Sequence, residues 1–86
     1  MSTPPLVDAR GTRCPVPVVR VARVARDLEP GSTVVLLADD VAARSDVPAW
    51  ARMRGHAVEL ADEDGWTRYT VRVGAGPGAG SATRST

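Results

Sequence analysis

The sequence predicts a two-layer α/β sandwich of order β-α-β-α-β-β, with both helices on one face of the sheet. Three observations predict it. An extended stretch, an amphipathic helical stretch and a continuous apolar run follow one another between residues 5 and 38 with short connections, which gives a right-handed crossover and parallel pairing of the first two strands. Two alternating segments then flank Asp62-Glu63-Asp64-Gly65, the pattern of an antiparallel hairpin with a tight Asp-Gly turn. In the last strand Tyr69, Val71 and Val73 oppose Arg68, Thr70 and Arg72, as expected of a sheet covered on one face and wet on the other.

Taken in order, Pro5-Leu6-Val7-Asp8-Ala9-Arg10 reads as an edge strand closed by the turn residue Gly11. From Pro15 to Leu28, Val18, Val21, Ala22, Ala25 and Leu28 recur at helical spacing, and Arg20, Arg23, Arg26 and Asp27 fall on the other side. The valines lower intrinsic propensity, so burial of the stripe must hold this helix. Glu29-Pro30-Gly31-Ser32 stops it, and Thr33 to Ala38 is an interior strand. Val41 to Arg54 is helical, with a break offered at Ser45-Asp46-Val47-Pro48, where Ser45 or Asp46 can cap a restart. Trp50 and Met53 are expected to face the sheet with Val47, and Gly55 ends the segment. After Val73 the glycine-rich residues have no periodicity and little to bury, so the domain is read as 1–73 and residues 74–86 as a disordered tail.

Composition excludes several classes of function. With 86 residues there is one domain, and with one cysteine and one histidine there is no internal disulfide and no zinc constellation. No metal or cofactor is expected. Eleven basic residues against ten acidic give no field for direct nucleic-acid binding. No basic-then-apolar leader and no membrane-length apolar run are present, which points to a cytoplasmic protein without a membrane partner. A monomer is expected.

The chemistry concentrates in Gly11-Thr12-Arg13-Cys14-Pro15-Val16-Pro17. Here the lone thiol joins the first strand to the first helix. Pro15 suits the first helical position, which makes Cys14 the N-cap. Two prolines leave only the amides of Cys14 and Val16 unpaired, and the Val16 amide, the helix dipole, Arg10 and Arg13 should all favour an exposed thiolate and outweigh the opposing acidic rim. Asp39 and Asp40 leave the same rim of the sheet after the second strand, and the Asp62-to-Gly65 turn belongs there too. His56 opens a strand that runs toward this rim, so roughly six residues at about 3.3 Å each separate it from Cys14 and exclude a Cys-His dyad.

Val7 to Pro17, the acidic pair Asp39-Asp40, Asp46-Val47-Pro48 and Gly55-His56 together resemble the TusA/SirA-like sulfurtransferases over about residues 5–73. That resemblance implies a sheet of order 1-2-4-3 with the last strand antiparallel. It also implies a sulfur carrier that holds sulfane sulfur on Cys14 as a persulfide, with Asp8, Arg10, Gly11, Pro15 and Pro17 shaping the loop. A cysteine desulfurase or rhodanese-like donor and a downstream acceptor protein in tRNA thiolation, molybdenum-cofactor or sulfur-oxidation relays are the implied partners. Val41 stands where many members have proline, and Thr12 replaces a commoner aliphatic residue, departures that touch partner choice more than chemistry. With no resolving thiol in the chain, a persulfide on Cys14 can leave only by attack from another molecule. The competing reading is a regulatory or RNA-interaction module that docks through Arg20, Arg23 and Arg26. A redox protein is disfavoured by the missing second cysteine.

Overall fold

The computed structural model describes residues 3–74. Its elements are β1 (Leu6–Asp8), α1 (Val16–Arg26), β2 (Thr33–Ala38), α2 (Ala43–Arg54), β3 (Ala57–Asp62) and β4 (Thr67–Arg72). The sheet has the order β1-β2-β4-β3, with β1 parallel to β2 and the other two pairings antiparallel. The expected topology is therefore the observed one. In register, Val7 lies beside Leu36 and Leu36 beside Tyr69, while Val34 lies beside Val71. These residues, with Ala9 and Ala38, form the floor on which Val21 of α1 and Ala43 and Val47 of α2 pack. The outer face carries Arg68, Thr70 and Arg72, as the alternation requires.

The second helix corrects two expectations. It is continuous through Pro48, because Ala43, Val47 and Ala51, spaced by one turn, form a fully buried row whose packing outweighs the one helical bond that proline removes. That row also fixes which way Met53 points. Two residues beyond Ala51 is about 200° around the helix, so Met53 does not face the sheet but is 71% exposed. Trp50 is half-buried against the core, its ring 5.0 Å from that of His56. Gly55 closes the helix in the left-handed region at φ 77°. In the hairpin, Gly65 alone takes a positive φ, 83°, so the turn is not of the type that needs both central residues there.

His56 lies at the end of the sheet remote from the rim. Its Nδ1 accepts the amide of Gly74 at 2.9 Å, which ties down the first residue of the stretch read as tail; the rest of that stretch falls outside the described residues. Burial, with Arg54 adding to it, lowers the His56 pKa. The folded state thus binds this proton less readily than the unfolded chain, so the stabilisation is present above the ordinary histidine pKa and lost as pH falls through the lower folded value. Melting temperature is expected to fall between pH 7 and 5, and less so in His56→Gln. Equal pH profiles for the two proteins would contradict this role.

Candidate functional site

The loop between β1 and α1 is built by pairings that reach across the rim. The end of β1 is fixed by the Ala9 amide on the Leu37 carbonyl at 2.8 Å, and the chain then turns through Gly11, at φ 83°. Asp39 accepts the Gly11 amide on both carboxylate oxygens at 3.0 Å, and Asp40 accepts the Cys14 amide at 2.9 Å. Two adjacent carboxylates at the end of β2 thus hold both ends of the loop. Asp8 grips Arg10 with two side-chain bonds, 2.9 and 2.8 Å, and lies at a pKa of about 2, chiefly because of those bonds. The Arg10 guanidinium also sits 4.9 Å from the centre of the Trp66 ring, with Arg68 at 5.8 Å from the same ring. This joins β1 to the hairpin turn.

Around the thiol itself four expectations are corrected. Helix α1 begins at Val16 with Pro15 as its N-cap, because the first helical bond is Val19 to Pro15, and a tight turn closed by the Val16 amide on the Arg13 carbonyl at 2.9 Å precedes it. Cys14 is therefore one residue outside the cap. Neither of the two amides expected to be unpaired is so, since Val16, the one assigned to sulfur, donates to Arg13 and Cys14 donates to Asp40. The side chain is half-buried rather than exposed and rests on the core. As a result the thiol pKa is not lowered but pushed up to about 11: burial is the main cause, followed by the Asp46 carboxylate and then by Asp40. Arg10 does not offset this, being neutralised by Asp8, and Arg13 is exposed.

Of the residues singled out in the sequence, Cys14, Asp40 and Asp46 meet at one point, and Asp39, Gly11, Asp8 and Arg10 form the frame around it. Pro17 is buried under the helix start, and Pro15 and Val16 are exposed beside the thiol. An apolar groove of about 310 Å3 adjoins them between the helices, lined by Pro15, Val18, Ala49, Trp50 and Met53 with Asp46 and Arg54 at its edges. Sequence reasoning missed Trp66, although its place beside the Asp-Gly turn and two residues from Arg68 put it on this rim. It also missed the group formed by Arg44, Asp62 and Thr67, in which Arg44 reaches from the start of α2 to both partners. In the arginine row, Arg20 donates to the Asp8 carbonyl at 3.2 Å, and Arg23 and Arg26 are exposed.

A single half-buried thiol, on a loop clamped by carboxylates at one rim of a two-layer α/β sandwich, defines a small single-thiol protein with no partner cysteine for an internal disulfide. Residues 6–73 match the family described as Sulfurtransferase TusA, and the chain belongs to that family. A similar solved structure is that of a SirA-like protein from Desulfitobacterium hafniense, 31% identical, with a TM-score of 0.75, covering 80% of this chain and 96% of that one. A general sulfur-carrier or sulfurtransferase role follows from membership. No helix among the described residues is long and apolar enough to cross a membrane.

Proposed function

We propose that the protein accepts sulfane sulfur as a persulfide on Cys14 from a cysteine desulfurase or rhodanese-like donor and hands it to a downstream acceptor protein, in tRNA thiolation, molybdenum-cofactor assembly or sulfur oxidation. The observation that carries this reading is the placement of the chain's only thiol at the rim, where Asp40 and Asp46 converge. In charging, the Cys14 thiolate attacks the outer sulfur of the donor's persulfide, and the donor's S–S bond breaks with its electron pair left on the donor thiolate. In discharge a recipient nucleophile attacks the outer sulfur, and the pair stays on Cys14 Sγ. The apolar groove beside Cys14 supports exchange inside a protein complex, where water is excluded.

Incubation with a desulfurase or rhodanese-type donor, followed by intact-mass measurement, is expected to show a gain of one sulfur atom that a reductant reverses. Cys14→Ser should gain nothing. Equal loading of the two proteins, or loading of neither from any donor of this type, would overturn the reading and return attention to Arg20, Arg23 and Arg26.

A further inference from the structure

Among the described residues, the Tyr69 hydroxyl is the one buried side-chain polar atom without a hydrogen-bond partner. Tyr69 is fully buried on the inner face of β4, between Leu36 of β2 and Leu60 of β3. A buried hydroxyl left unpaired weakens the fold, and phenylalanine would fill the same space without that cost, so the oxygen calls for a reason. Its neighbour toward the rim does not supply one. Thr67 Oγ1 accepts from Arg44 at 3.1 Å and donates to Asp62 at 3.4 Å, and it adjoins the tyrosine without closing a hydrogen bond.

Cys14 packs against the same core cluster that contains Tyr69, Ala38, Ala43 and Val47. Burial is the main cause that raises the Tyr69 pKa, Arg44 and Thr67 oppose it, and Cys14 and Asp62 add to it. The thiol and, among the described residues, the one unpaired buried donor thus border the same core cluster.

We propose that the Tyr69 hydroxyl is the hydrogen-bond donor to the second sulfur carried on Cys14. The resting thiol leaves that donor unpaired. A persulfide extends the side chain by one S–S bond, about 2 Å, and presents an anionic sulfur, a stronger acceptor than a thiol. Tyr69 keeps its proton throughout. In charging and in discharge the S–S bonds form and break as described above, and the phenol only stabilises and positions the outer sulfur while no recipient is bound. The use of this contact rests on the carrier reading, but its existence does not, because Cys14 can be charged chemically.

For the test, Cys14 is converted to a mixed disulfide with an aryl thiol and treated with hydrosulfide, which forms the persulfide and releases the aryl thiolate. Uncharged Tyr69→Phe is expected to melt at or above wild type. Charging should raise the melting temperature of wild type and not that of Tyr69→Phe, and charged Tyr69→Phe should lose its sulfur to a small thiol about tenfold faster or more, the scale of a hydrogen bond to a charged group. Equal shifts on charging together with equal discharge rates would overturn the proposal and leave the hydroxyl a merely structural atom. Because Tyr69 is the only tyrosine, incorporation of meta-fluorotyrosine places a fluorine label at that ring alone. Its resonance should move on charging and stay fixed in identically treated Cys14→Ser; a resonance that does not move on charging overturns the proposal independently of the variant. Failure of the carrier reading would look different, as no loading from protein donors with the chemically charged behaviour intact.

Discussion

Asp46→Asn is expected to speed alkylation of Cys14 at pH 7 several-fold and up to about tenfold, one pKa unit being a factor of ten in thiolate below the pKa. In wild type, burial and the two carboxylates hold the thiol at about 11, so at pH 7 only about one molecule in ten thousand is thiolate. A neighbouring negative charge penalises the thiolate and not the thiol. Removing it lowers the thiol pKa, and rates of variant and wild type should converge only above the wild-type value. Asp40→Asn should act in the same direction and more weakly, since Asp46 is the larger electrostatic cause. Its amide oxygen can still accept the Cys14 amide that Asp40 holds at 2.9 Å, whereas Asp40→Ala would free that end of the loop. The measurement is the alkylation rate against pH. A wild-type midpoint near or below that of a free thiol, unmoved by Asp46→Asn, would refute this account of the site.

That result separates what was legible in the sequence from what was not. The sheet order came from the family resemblance, whereas the two layers and the parallel pairing of β1 with β2 followed from apolar periodicity and crossover handedness, which leave few global solutions. The rim was legible for the same reason. Parallel β1 and β2 must end together, which brings Asp39 and Asp40 to Cys14. The ionisation of Cys14 was not legible, because the helix dipole and the arginines were expected to outweigh the acidic rim, while burial and Asp46 come from packing α2 against the loop. Arg10 illustrates the same gap: its charge is close to the thiol in sequence, yet Asp8 neutralises it and Trp66 takes its guanidinium. The start of α1 shifted by one residue because proline at a cap is compatible with two positions, and only the turn from Arg13 to Val16 selects one. Alternation placed Tyr69 inward, but no pattern in a sequence tells where a buried hydroxyl ends.

The largest loss of stability is expected from Leu36→Ala. Leu36 is fully buried in the central strand, with Val7 on one side and Tyr69 on the other. Truncating it removes packing from both neighbouring strands and leaves a cavity, at a cost of about 2–5 kcal/mol. A small domain holds about 5–15 kcal/mol in all, and in this size range each kcal/mol moves the melting temperature by about 4–8 °C, so a fall of about 10 °C or more should be seen. The thiol gives a second, opposite readout. Cys14 has a higher pKa folded than unfolded, so the fold gains stability from it below the ordinary thiol pKa and loses that gain as pH rises toward about 11. Unfolding therefore exposes a more reactive thiol, and Leu36→Ala should alkylate faster at neutral pH only in proportion to its unfolded fraction. The dependence on denaturant tells the two routes apart. In Leu36→Ala the rate should climb from the first additions, whereas in Asp46→Asn it should start high and stay flat until the unfolding transition. A Leu36→Ala protein that melts within about 2 °C of wild type, well inside the loss expected for a cavity of this kind, would show that the core is not organised around β2.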